Sequence, residues 1–269
     1  DGNGTESNGL LEDGEIDSST TLCTTISFGM ISDINLGSGS SLPSNFAALN
    51  DDQIIFTAND GSRGSELWMV TLSSGTVALV KDIDTRMYSS GNGYGSNPSE
   101  FTLFNDELYF RAEDPYHGRE LWKTDGTADG TIMVKDIDTR VDSSGDGYGS
   151  DPSGFTLFND ELYFSAYSED NGTELWKTNG TEESTVLVKD IYPGSSNNYP
   201  YSSNPYRFTL FNDELYFGAR DEDHGIELWK TDGSEDGTVL VKDIDPREWE
   251  SGSPYNGNPN DFTVMGDSL

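Results

Sequence analysis

The chain repeats itself, and the repeat limits the folds open to it. Phenylalanines that open short apolar runs stand at Phe46, Phe101, Phe155, Phe208 and Phe262, spaced 55, 54, 53 and 54 residues apart. Trp68, Trp122, Trp176 and Trp229 keep the same register, at 54, 54 and 53. A fixed period of this length marks an array of one supersecondary unit, each copy burying its apolar faces against its neighbours.

In the second copy, Phe101 to Phe104 reads as a strand. Asn105-Asp106 reads as a tight turn, because both residues tolerate positive φ. Leu108 to Ala112, Glu120 to Lys123 and Thr131 to Ile137 read as the next three strands, with Thr124-Asp125-Gly126-Thr127 opening the last turn. No segment has the 3.6-residue period of an amphipathic helix. Leu108 and Phe110 oppose Tyr109, so both faces of the sheet are apolar and both should be covered. The expected fold is all-β: a β-propeller-like array of four-stranded antiparallel blades, with an open superhelical stack of the same sheets as the alternative.

The units run 42–96, 97–150, 151–203 and 204–257, with a partial unit at 258–269. Thr25 to Ile34 matches a fourth strand, so the two ends could share a split fifth blade. Residues 25–269 are then the repeat domain, and 1–24 an acidic, Gly-rich end of another module.

The formal net charge of −34, from 49 acidic and 15 basic residues, excludes nucleic acid and anionic membranes as natural partners. Two readings remain for so many carboxylates: calcium binding, since calcium takes several oxygen ligands, or a solvated acidic surface. Aromatic residues at 12% supply a core that a 33% hydrophobic content otherwise lacks. No apolar run is long enough to span a membrane. There is a single cysteine, Cys23, and N-x-[ST] sequons mark Asn3, Asn171 and Asn179 as glycosylation candidates.

The run Glu120-Leu121-Trp122-Lys123-Thr124-Asp125-Gly126-Thr127, followed by Val134-Lys135-Asp136-Ile137, recurs at Glu174 to Thr181 and Glu227 to Ser234. It resembles the E-L-W-x-x-D-G-T-x-x-G-T tandem repeat of large secreted bacterial surface proteins. That resemblance covers residues 25–269 and implies a propeller-like fold and an extracellular or cell-surface location, without an established activity. The first unit departs from it, running from Trp68 straight into Met69-Val70-Thr71-Leu72. Residues 1–23 are similar to a calcium-loop and cysteine segment found beside collagen-like tails. Setting Gly9 at position 6 of an EF-hand-type loop puts Glu6, Asn8 and Glu15 at ligand positions. In such modules the cysteine pairs with an upstream one, which this chain lacks.

No catalytic set stands out, and no enzyme activity is expected. His117 and His224 share a turn position with Arg63 and Asn171, which points to a hairpin turn rather than an active site. The candidate metal ligands are the i, i+2 pairs Asp82/Asp84, Asp136/Asp138 and Asp243/Asp245, with Asp190, where Tyr192 replaces the second aspartate. Residues two apart on a strand share a face, so each pair could present oxygens to one cation. The loops that follow differ by Asn/Asp exchange, which adds Asp146 and Asp151; these loops either bind calcium or only connect blades. Tyr94, Tyr148 and Trp249, with Tyr201 and Tyr255 in the same connections, could stack on sugars or pack over blade ends.

The function expected from these features is a non-enzymatic extracellular structural or adhesive protein, calcium-stabilised and self-associating into a fibre or lattice. A lectin-like carbohydrate- or protein-binding propeller is the alternative, and a propeller hydrolase the third reading.

Overall fold

The computed structural model describes residues 30–249, 252–260 and 262–263. The chain divides into two compact units between Met30 and Ile31. Described here is the unit Ile31–Leu269; Glu6, Asn8, Glu15, Asn3 and Cys23, with the calcium-loop reading, lie outside the described residues.

The unit is a β-propeller-like array of four four-stranded antiparallel sheets, each a meander in chain order. The first blade holds β1 (Ser44–Ala48), β2 (Gln53–Asn59), β3 (Ser65–Thr71) and β4 (Thr76–Lys81). The second holds β5 (Ser99–Phe104), β6 (Glu107–Asp114), β7 (Gly118–Thr124) and β8 (Ile132–Lys135). The third holds β9 (Ser153–Phe158), β10 (Glu161–Ser168), β11 (Gly172–Thr178) and β12 (Val186–Lys189). After a small hairpin, β13 (Ser195–Ser196) with β14 (Tyr199–Pro200), the fourth holds β15 (Tyr206–Phe211), β16 (Glu214–Asp221), β17 (Gly225–Thr231) and β18 (Val239–Lys242). The first strands lie side by side, β1 against β5, β5 against β9 and β9 against β15.

Local chemistry sets this topology. Asn105 and Asp106 have φ of 52° and 62°, as do their counterparts Asn159-Asp160 and Asn212-Asp213 to within a few degrees. Two consecutive positive φ values make the type I′ turn whose twist suits a two-residue hairpin. The first blade has Asn50-Asp51-Asp52 there, one residue more, which accounts for its longer spacing.

The double-sided strands do what their pattern requires. Leu108 and Phe110 face the first blade, in a core with Leu49, Ile55, Leu67, Val80 and Ile83. Tyr109 faces the other way, joining Phe104, Leu121, Val134 and Ile137 against Leu162, Phe164, Ala166 and Trp176 of the third blade. The third and fourth blades repeat this layer.

The E-L-W-K-T-D-G-T-x-x-G-T signature is explained by hydrogen bonds. Thr124 and Thr131 hydroxyls meet at 2.7 Å, the Gly126 amide donates to Thr124 Oγ1, and the Thr127 amide donates to Asp125 Oδ1. The turn therefore holds its own shape and turns carbonyls outward. Lys81 Nζ of the preceding blade donates to two of them, Ala128 O at 3.1 Å and Thr131 O at 2.6 Å. Lys135 and Lys189 do the same to the turns of the third and fourth blades. The lysine of V-K-D-I thus caps the D-G-T turn of the next unit.

Two boundaries differ from the sequence reading. The fourth strands end at the lysine, not at the isoleucine two positions later as Thr131 to Ile137 implied. Residues 30–43 form no strand, yet Ile34 packs on the Phe56, Ala58 and Val70 face of the first blade, the place its alignment with Ile137 assigns it. Of the partial unit 258–269, residues 261 and 264–269 lie outside the described residues.

Candidate functional site

Among the described residues the glutamates of E-L-W are, with Asp138, the most deeply buried charged side chains. Glu66, Glu120, Glu174 and Glu227 each have 0% exposure. Glu120 accepts hydrogen bonds from the amides of Ile137, Asp138 and Ser150 and from Ser150 Oγ. Glu66 and Glu174 repeat the arrangement with Ser96 and Ser203. Each carboxylate ties the end of its own fourth strand to the connection leading into the next blade. Burial pushes Glu66 and Glu174 up to about 7 and Glu120 to about 8, against the opposing pull of the serine and amide hydrogen bonds.

The aspartate pairs lie past the strand ends, outside the strand alternation that would have put both on one face. Asp84 and Asp138 are buried and clasped by arginine: Arg86 Nη2 lies 2.6 Å from Asp84 Oδ2, and Arg140 Nη2 2.6 Å from Asp138 Oδ2. Arg247 holds Asp245 in the same way. A cation at these second aspartates would have to displace a guanidinium.

The first aspartates face the hairpin turn instead. Asp82 Oδ2 lies 3.4 Å from Arg63 Nε, and Asn171 Nδ2 donates to Asp190 Oδ2 at 3.2 Å. His117 and His224 sit in that turn, bonded to Asp114 and Asp221, so the position is the hairpin turn its variability suggested. Asp82, Asp136, Asp190 and Asp243 each keep a buried Oδ1 without a protein partner, as do the indole N–H groups of the four repeat tryptophans. Among the described residues, no group of three or more His, Cys, Asp or Glu is arranged to hold a metal ion.

The Asn97/Asp151 exchange in the loops has a backbone cause. Asn97, Asp151, Asn204 and Asn258 all take φ between 46° and 50°. Asparagine and aspartate enter that left-handed region more readily than other non-glycine residues. Asp151 accepts from Arg119 at 3.0 Å, and Asp146 lies 3.7 Å from Arg86.

The connection aromatics pack on the chain itself. Tyr94 stacks on Tyr88 at 3.7 Å and carries Arg86 at 4.8 Å. Trp249 stacks on Tyr255 at 4.3 Å, and Tyr148 carries Arg140 at 5.0 Å. The exceptional third blade fits this scheme. Arg140 of the second blade also lies over Tyr167 of the third, whereas Tyr192 of the third lies under Arg220 of the fourth. In the third blade the ring thus comes from the fourth-strand connection and the cation from the next blade, and Tyr192 also stacks on Tyr201 at 4.7 Å. Of the sequons, Asn171 is half-buried and bonded as above, and Asn179 is exposed in its turn.

The position that pattern reading missed is the residue before each strand-opening phenylalanine. Asn45, Glu100, Gly154 and Arg207 have φ of 52°, 59°, 75° and 57°, at a break in register between the first and second strands of every blade. Left-handed backbone at a bulge costs a non-glycine residue on the order of 1 kcal/mol or more. The asparagine and glycine in this column were the available signal. Glu100, Gly154 and Arg207 line a cavity of about 350 Å³ with Phe101, Phe155 and Phe208, at the inner edge of the second to fourth blades. Glu100 Oε2 accepts the Gly154 amide at 2.9 Å, and Arg111 Nη1 lies 3.2 Å from Glu100 Oε1.

No family model and no curated protein matches the chain. Among solved structures it is similar to a prolyl endopeptidase (12% identity, TM-score 0.41, covering 70% of this chain and 24% of that one). A puromycin hydrolase gives 12%, 0.43, 76% and 29%. The acylaminoacyl peptidase of Pyrococcus horikoshii gives 10%, 0.40, 75% and 27%. The chain spans about a quarter of the length of these proteins. The expectation of an adhesive, fibre-forming surface protein is corrected here: the three similar structures named above are peptidases, and none of them is an adhesive protein.

Proposed function

We propose that this chain is a ligand-binding module whose site is the inner-edge cavity between Glu100 and Arg207, and that it takes a small zwitterion such as an amino acid or a peptide terminus. The observation that carries this is a fixed backbone with changing side chains. The left-handed residue recurs in all four blades, while its identity runs Asn, Glu, Gly, Arg beside an unchanging phenylalanine. A constant frame with varied side chains at one cavity suits recognition; packing alone would favour the same residue each time.

Glu100 has two partners for about four lone-pair directions, so it retains capacity for an ammonium group. Arg207 already has an interaction of its own and would share its five guanidinium donors with a ligand carboxylate, and Phe101, Phe155 and Phe208 offer apolar surface between them. A ligand of this size, held by a few contacts, should bind with Kd on the order of 0.1–1 mM. Titrating free amino acids and dipeptides by NMR should show saturable shifts confined to the first strands, lost in Glu100→Gln and in Arg207→Gln. If no zwitterion saturates the site, or if both variants bind as the parent does, the reading fails.

A further inference from the structure

The fourth blade ends in an interface surface that none of the described residues covers. Val80, Val134 and Val188 are 6–8% exposed, and their counterpart Val241 is 40% exposed. Ile83, Ile137 and Ile191 are 4–8% exposed, and Ile244 is 49% exposed. Phe211 and Tyr216 occupy the positions of buried Phe104 and Tyr109 and are only half-buried. Lys242, the counterpart of the three capping lysines, is exposed.

Beyond this face the chain already follows the path of an inter-blade connection. The Gly257 amide donates to Glu227 as those of Ser96, Ser150 and Ser203 do to their glutamates. The Asn258 amide donates to Ile226 O at 3.1 Å, matching Asn97 on Ser65, Asp151 on Arg119 and Asn204 on Thr173. Tyr206 Oη donates to Pro259 O at 3.2 Å, and Thr57 Oγ1 to Pro98 O at 2.6 Å, so these two connections are each tied to the first or second strand of the blade they leave.

We propose that this face receives a fifth blade of the same repeat, entered through residues 252–260, whose third-to-fourth-strand turn carries D-G-T-x-x-G-T. The lysine sets the turn requirement, because each covered lysine caps two carbonyls of such a turn. The first blade of a second copy does not meet it. Its β3–β4 connection is the tight Leu72-Ser73-Ser74-Gly75 turn, so it lacks the motif.

The test completes the unit that Phe262 begins. A Cys23→Ser chain of residues 1–269 is compared with the same chain extended after Leu269 by a copy of residues 216–244. Both carry Val241→Cys, and thiol labelling is followed at several protein concentrations. Protection by the extension should slow labelling at least ~10-fold. It should weaken in Lys242→Ala and in an extension whose turn is replaced by Leu72-Ser73-Ser74-Gly75. An unchanged rate on extension would overturn the proposal. So would equal protection by either turn, or protection of the unextended chain that grows with its concentration, which would assign the face to a second copy. A parallel melt of the unlabelled chains guards against misfolding, since a docked blade should raise Tm and an undocked one should leave it unchanged.

Discussion

The second and fourth blades carry nearly the same sequence in different surroundings. In the second, Val134, Ile137 and Tyr109 are buried under the third blade, and Lys135 reaches across to cap its turn. In the fourth, the same residue types at 241, 244, 216 and 242 are half-buried or exposed. The motif therefore stabilises an interface rather than a blade, and its energy is a nearest-neighbour quantity, as expected for stacked repeats. Substituting matched positions in the two blades separates the part of the motif that acts within a sheet from the part that acts between sheets.

The largest contrast should come from the glutamates. Glu120→Ala leaves three buried amides and a serine hydroxyl without an acceptor, and should cost about 3–5 kcal/mol in urea unfolding. Glu227→Ala removes two half-buried bonds, from Ile244 and Gly257, and should cost about 1–2 kcal/mol. Equal losses would show that the staple acts inside one blade and not between blades.

The same carboxylates give a pH dependence whose sign follows from their raised pKa values. Glu66, Glu120 and Glu174 titrate at about 7, 8 and 7 in the folded chain, against about 4.3 when unfolded. Between those values the folded state binds more protons. Their contribution to stability is thus complete below pH ~4.3 and is lost as pH rises through 7 to 8. Tm should fall from pH 5 to pH 8, and Glu120→Gln should flatten that fall. A parent with a flat profile over this range, or one unaffected by the substitution, would contradict the burial argument.

Next in size is the apolar layer. Val134→Ala opens a cavity between two sheets and should cost about 1–2 kcal/mol. Val241→Ala, at 40% exposure, should cost less than ~0.5 kcal/mol. A matching cost at both positions would mean that the fourth blade's face is covered in solution.

Much of this fold was legible in the pattern, because each blade is a run of local meanders punctuated by residues with one backbone habit. Asn105-Asp106 announced its hairpin, and the two-faced run Leu108-Tyr109-Phe110 announced covered sheets. What the pattern hid were the partners of charged groups. The D-x-D pairs read as cation ligands, yet Arg86 and Arg140, two residues further on, take the second carboxylate. Nothing in the pattern marked Glu120 as buried, since its partners arrive from Ile137 and from Ser150, 30 residues away. The Tyr192 exception depends on a residue of the next blade, Arg220, which lies over its ring. The cavity residues were hidden for another reason: Glu100 and Arg207 share a backbone shape with Gly154 but no chemistry.

The smallest effect is also the most specific to the repeat. Lys135 Nζ donates to Thr185 O at 2.9 Å and to Glu182 O at 3.4 Å. Neither carbonyl belongs to a regular strand, so without the lysine each turns to water and the loss is partial. Lys135→Ala should therefore cost about 1 kcal/mol in urea unfolding, and Lys242→Ala should stay within ~0.5 kcal/mol of the parent. Both removals lower the negative charge screening equally, since each deletes one cation from a chain of net charge −34. Repeating the pair at high salt, which mutes that shared term, should leave the difference between them intact. A difference that vanished in salt would reassign the lysine from capping a turn to general charge balance.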